Sequence, residues 1–291
     1  MKVSGVVDGR DDYSLEQKKH LIRCIGHWGG NLYIWNRYAW DSAYRPFDES
    51  ERHTFGDLLS AARRAGIQLW VGMKPGDVRY CGHSTDRARF VAKAKELINM
   101  GADGIFMAMD DTHPEQVVKE EDGQAQAELI SSLVDVLGDR LKGICGEEYH
   151  GAQMIQTDYW RPILEVLPRH TMITWTGPRI WNATLSGEDM PSFRWPLLLW
   201  ENFFASDSPE PDRAPTNPFS GRDASLLGAI NGFIIHPNIH YPWQYCALKT
   251  TFEFLNDPAG YDAERAYRNA MLELGDMWWA AEERGMGIND R

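Results

Sequence analysis

The feature that most constrains this chain is a regular alternation: a short apolar run, then a longer amphipathic stretch, repeated from the first residues almost to the last. Short apolar runs bounded by turn residues read as buried strands, and stretches with apolar residues at helical spacing read as helices. Their strict alternation builds βα units around a parallel sheet. Strands are predicted at 3–7, 31–35, 68–73, 104–109, 142–145, 172–175 and 196–200, and 227–235 supplies apolar material for an eighth. Helices are predicted at 14–28, 54–65, 86–100, 123–137 and 159–167, with two more, 243–256 and 262–283, closing the chain. Ser14 with Gln17 three residues on is a capping-box start, Gly66 and Gly101 are C-terminal caps, and 36–53 reads as a polar, aromatic loop.

Eight such repeats in 291 residues fit an α/β protein made of a single (β/α)8 TIM barrel. An open doubly wound sheet would call for a Gly-rich phosphate turn, and neither G-x-G-x-x-G nor a Walker pattern occurs. One domain is expected over 1–291, with the Pro-rich, acidic segment 206–218 as a candidate active-site loop within it. In a barrel the chemistry sits at the C-terminal ends of the strands, so the residues just after each apolar run are the ones to read.

Composition narrows the partners. Forty-two acidic against thirty basic residues give a net charge of −12 with no basic run, which argues against nucleic acid and anionic membranes. The start of the chain has no leader-like apolar segment and no run is long enough to span a bilayer, so a cytoplasmic protein with no membrane partner is expected. Cys24, Cys81, Cys145 and Cys246 lie far apart without a C-x-x-C pair, and free thiols are expected.

Asp110-Asp111 is the sharpest local feature, since two carboxylates follow a strongly apolar strand at the predicted mouth of the barrel. Like charges side by side in a partly desolvated site push their pKa values apart, so that one can act as an acid while the other stays ionised. Side chains alternate along a strand, so both can reach one ligand only if the strand ends or bulges at Asp110. A second constellation, Trp175-Thr176-Gly177-Pro178 with Trp200-Glu201-Asn202 and Asp207, mixes rings with short polar side chains. Sugars need that mixture, because their C–H faces stack on rings while their hydroxyls take hydrogen bonds.

These residues carry a resemblance. Gly5-Val6-Val7-Asp8-Gly9, Asp110-Asp111, Glu148-Tyr149, Trp175-Thr176-Gly177-Pro178, Trp200-Glu201-Asn202 with Asp207, Gly221-Arg222-Asp223 and Asn256-Asp257-Pro258-Ala259-Gly260-Tyr261-Asp262 run in order over nearly the whole chain. Together they resemble the family 84 glycoside hydrolases, the O-GlcNAcase and hyaluronidase-like β-N-acetylglucosaminidases. The resemblance implies retaining, substrate-assisted cleavage, in which the sugar's 2-acetamido oxygen attacks its own C1 and no cofactor or metal is needed. It assigns Asp110 to orienting the acetamido N–H and Asp111 to acid–base work, and it gives Tyr149, Asn202, Asp207 and the backbone at Gly9 to binding the sugar.

Departures from the family pattern fall at three strand ends. An aromatic Gly-Phe-Tyr-Gly is replaced by Gly9-Arg10-Asp11-Asp12, a Pro-Lys aligns with Arg37-Tyr38, and an Asn-Pro becomes His236-Pro237. Arg37, Tyr38 and His236 therefore join Trp175 as expected substrate contacts, and a modified 2-acetamido sugar or an unusual aglycone is expected. Arg10 and Arg37 suit a carboxylate or phosphate on that substrate. Two rivals stand beside this reading. One is a sugar-binding barrel that has lost turnover. The other is a metal-dependent hydrolase using Asp110, Asp111, His113, His236 or His240, although no H-x-H or H-E-x-x-H occurs among the nine histidines.

Overall fold

The computed structural model describes residues 2–9, 13–76, 81–110, 120–192, 194–205, 217–238, 241 and 244–282, with the side chains of 37–41 and 276–282 outside that set. Its eight strands are β1 (Val3–Asp8), β2 (Leu32–Ala39), β3 (Gln68–Lys74), β4 (Gly104–Ala108), β5 (Leu141–Cys145), β6 (Met172–Trp175), β7 (Leu197–Glu201) and β8 (Gly232–Ile235). All pair in parallel with their sequence neighbours, and β8 closes back on β1 through Val3 opposite Gly232. The helices are α1 (Leu15–His27), α2 (Glu49–Ala65), α3 (Ser84–Asn99), α4 (Glu120–Leu137), α5 (Trp160–Val166), α6 (Leu226–Ala229), α7 (Gln244–Asn256) and α8 (Ala263–Glu282).

Local signals set most boundaries. Ser14 and Gln17 exchange side-chain and backbone hydrogen bonds as a capping box at the start of α1, and Gly66 ends α2 in the left-handed conformation at φ 70°. The expected loop at 36–53 is corrected here. β2 runs on to Ala39, a 3-10 turn covers Trp40–Tyr44, and α2 begins at Glu49 with Asp48 and Glu51 forming a second capping box. That first turn, Glu49 to Arg52, carries no apolar residue, so helical periodicity is silent until Phe55; the cap itself, worth about 1 kcal/mol, was the available signal.

Two buried layers divide the strand residues by parity. A larger outer cluster takes Val6, Tyr33, Val71, Met107, Ile173, Trp175, Leu199 and Phe233 and packs them against the helices. A smaller inner cluster takes Val3, Val7, Leu32, Ile34, Trp70, Phe106, Ala108, Cys145, Met172, Leu198, Trp200 and Ile234, and fills the barrel interior. This is the layered side-chain core of a (β/α)8 barrel. Gly5 belongs to the inner parity, where a Cβ would lie 1.7 Å from the Leu32 carbonyl oxygen. The backbones of β1 and β2 approach so closely there that only glycine fits.

Candidate active site

Strand alternation sets the site. Counting on by two from the inner cluster brings Gly9 after Val7, Asn36 after Ile34, Lys74 after Gly72, Asp110 after Ala108, Asn202 after Trp200 and His236 after Ile234 to the C-terminal mouth of the barrel. The contacts agree with the count. Lys74 Nζ stands 3.4 Å from Asp110 Oδ2, both side chains about one-fifth exposed. His236 Nδ1 lies 3.3 Å from Asn202 Oδ1. The Asn36 side chain lies over Gly72, where an added Cβ would come 2.2 Å from Asn36 Oδ1.

β4 ends at Ala108, the Met109 N–H still donates to Cys145 O at 2.8 Å, and Asp110 is already in a turn. The strand therefore stops just before the carboxylate pair. Asp111, the expected acid–base residue, lies outside the described residues, as do Asp207, His113, His240, Arg10 and the greater part of the loop 206–218. Arg37 and Tyr38 belong to β2 by backbone, Tyr38 pairing with Met73 beyond an irregularity in the ladder, and their side chains are outside the described set.

At the β7 end, Trp200 is an inner-layer residue, set edge-on to His236 with ring centres 5.7 Å apart and tilted against Phe106 at 6.0 Å. Its Nε1–H donates to Asn202 Oδ1 at 3.0 Å, and Asn202 Nδ2 donates to Ile180 O at 3.1 Å. Asn202 thus fixes Trp200 and the loop after β6, and its amide keeps one N–H beyond these bonds. Tyr149, half-buried after β5, touches both core layers, while its carbonyl accepts the Thr176 N–H at 2.9 Å. Gly9 is exposed at the end of β1.

Trp175 is the correction. It has the outer parity, is 0% exposed, and donates its Nε1–H to Gly151 O at 3.0 Å. No face of the ring is open to a sugar. The inward aromatic at this mouth is Trp200, and the missed polar residues are Asn36 and Lys74. Each was readable by stepping on in twos, once from Ile34 to Asn36 and twice from Trp70 through Gly72 to Lys74; a search of strand ends alone does not separate the two faces.

Behind β1, Asp8 is fully buried and takes Lys18 Nζ at 2.8 Å and the Tyr33 hydroxyl, which holds the strand end that leads to Gly9. Cys24 lies 3.6 Å from His20 Nε2, yet burial pushes its thiol up to about 12, so this pair is no thiolate nucleophile. All four cysteines are free. Among the described residues no three His, Cys, Asp or Glu side chains gather to hold a metal ion, and no helix is long and apolar enough to cross a membrane.

A closed parallel barrel whose strand ends gather a carboxylate, an ammonium, amides and an aromatic ring has the architecture of a (β/α)8 barrel enzyme. The chain belongs to the β-N-acetylglucosaminidase family, whose model matches residues 12–284. Among solved structures it is similar to an O-GlcNAc hydrolase mutant from Thermobaculum terrenum, with a TM-score of 0.78 and 20% identity over 94% of this chain. It is also similar to the protein named CpGH84B, with a TM-score of 0.75 and 20% identity over 92% of this chain. The chain spans 62% of the first protein's length and 50% of the second's.

Proposed function

We propose that this barrel hydrolyses β-linked 2-acetamido-2-deoxy sugars with retention, through substrate assistance. The observation that carries the reading is Asp110, presented inward at the end of β4 and paired with Lys74, in a chain of the β-N-acetylglucosaminidase family. In the first step the acetamido oxygen bonds to C1 as the bond from C1 to the leaving oxygen breaks. That oxygen takes a proton from Asp111, while the Asp110 carboxylate accepts a hydrogen bond from the acetamido N–H and offsets the positive charge on the ring that forms. In the second step water attacks C1, its proton passes to Asp111, and the ring reopens. No protein nucleophile takes part.

Binding of the sugar falls in this reading to the Gly9 backbone, Tyr149, Asn202, Asp207, His236, Arg37 and Tyr38, over the floor made by Trp200. The net charge of −12 favours a small-molecule or glycan substrate over nucleic acid. Four free thiols are in keeping with a reducing compartment, and we assign the chain to the cytoplasm.

The test is hydrolysis of an aryl 2-acetamido-2-deoxy-β-glucoside across pH by the wild type, Asp110→Asn and Asp111→Asn, with a thiazoline mimic of the cyclised intermediate as inhibitor. Turnover in the wild type that falls by at least about 100-fold in each variant and is blocked by the mimic is the expected result. Mimic binding without any turnover would mark a sugar-binding barrel, and an unchanged rate in Asp111→Asn would remove the acid–base assignment.

A further inference from the structure

We infer that Asn36 and Lys74, on adjacent strands, form a hydrogen-bonding edge of the site that recognises a neutral hydroxyl of the sugar ring. The inference rests on the glycosidase reading above and adds to it which residues select the sugar.

Asn36 is half-buried, and its side chain makes no hydrogen bond to the protein among the described residues. It is seated in a cradle made by two glycines. At Gly72 a Cβ would stand 2.2 Å from its Oδ1 and 2.7 Å from its Cα, and at Gly9 a Cβ would stand 3.6 Å from its Nδ2. β2 and β3 are thus shaped to hold this amide at the mouth. A part-desolvated amide without a protein partner is worth holding there if a ligand satisfies it. It brings one acceptor and two donors, the set that a hydroxyl, itself both donor and acceptor, complements.

Lys74 faces the same way. It follows Gly72 by two residues on one strand, which places the two groups roughly 7 Å apart along β3. Its ammonium carries three donors, one of them directed at Asp110 Oδ2 at 3.4 Å. The Asp110 charge cancels that of Lys74 locally, so the pair offers hydrogen bonds more than net charge. A neutral hydroxyl suits it better than a carboxylate or phosphate. Because the same ammonium touches Asp110, it ties recognition of the ring to the group that receives the acetamido N–H. Lys74 is a positioning residue for Asp110 as well as a contact.

The test compares the wild type with Asn36→Ala, Lys74→Met and Lys74→Arg on the aryl 2-acetamido-2-deoxy-β-glucoside and on its 3-, 4- and 6-deoxy analogues. Both truncations should lower kcat/KM on the parent sugar by about 10-fold, the size of one lost hydrogen bond. On one deoxy analogue Asn36→Ala should cost less than about twofold against the wild type on that analogue, and on the same analogue Lys74→Met should lose its KM effect and keep only the kcat loss that comes from Asp110. Lys74→Met should lower kcat as well as raise KM, and Lys74→Arg should recover part of the kcat. Losses of equal size on all four sugars from an active wild type would overturn this inference alone. So would a wild-type preference for a 6-phosphorylated sugar that Lys74→Met abolishes. A wild type that neither cleaves these sugars nor binds the thiazoline mimic would overturn the glycosidase reading and this inference with it.

Discussion

Arg222 grips Glu201 at two points, Nε to Oε2 at 2.8 Å and Nη2 to Oε1 at 2.7 Å, with both side chains sealed from water. Glu201 also accepts the Phe203 N–H at 2.9 Å, and the guanidinium lies over the Phe203 and Phe219 rings. The pair anchors the end of β7 one residue before Asn202. Removing one partner strands a buried charge, at a cost of about 3–5 kcal/mol. Arg222→Met should therefore lower Tm by roughly 5–8 °C, while the double variant with Glu201→Leu recovers much of the loss. A single variant melting within about 2 °C of the wild type would show that the pair contributes no net stability.

Two glycines should respond in opposite directions to alanine. At Gly5 the new Cβ meets the Leu32 backbone at 1.7 Å, so β1 and β2 must separate and the cost should reach about 3 kcal/mol or prevent folding. At Gly56, inside α2, nothing lies within 4 Å of the new Cβ, and alanine should stabilise by about 0.5–1 kcal/mol through helix propensity. Urea denaturation of the two variants measures both signs.

Trp175 and Trp200 should separate stability from binding. Trp175→Phe loses the bond to Gly151 and part of a buried ring, costing about 1–3 kcal/mol while KM for the aryl sugar stays within about twofold. Trp200→Ala removes the inward floor and should raise KM by about 10-fold or more. A raised KM in Trp175→Phe with unchanged Tm would return that ring to the sugar site.

Burial, with the Arg23 charge second, holds the His20 imidazole below its ordinary pKa of 6.5. The folded chain binds fewer protons there than the unfolded chain once the pH drops below 6.5. This contribution to stability is complete above that pH and is lost as pH falls toward the folded-state value. Stability measured from pH 7.5 down to 5 should slope less in His20→Gln, and a slope equal to that of the wild type would exclude His20 as its source.

Much of the fold was legible because a parallel barrel writes itself twice into the chain. Apolar runs mark strands that are buried on both faces, and caps such as Ser14 with Gln17 and Gly66 mark helix ends by local hydrogen bonding alone. Where a helix opens with a polar turn, as at Glu49, the apolar period has nothing to show and the start is misread by several residues. The site was legible in part for a related reason. Asp110 stands out because two adjacent carboxylates follow Met109, whereas Lys74 and Asn36 each end an apolar run as a polar residue, which a turn alone explains.

The sequence by itself determined the barrel, the number of its strands and the carboxylate that ends β4, since each follows from local periodicity and composition. Which side of each strand faces the barrel axis was decided by the tertiary structure. A strand's pattern of burial is nearly the same on both faces once helices cover the outside, so Trp175 and Trp200 read alike in the chain. Only closure of the barrel, with Met172, Thr174 and Trp200 turned inward and Trp175 turned toward the helices, separates the ring that holds the fold from the ring that floors the site.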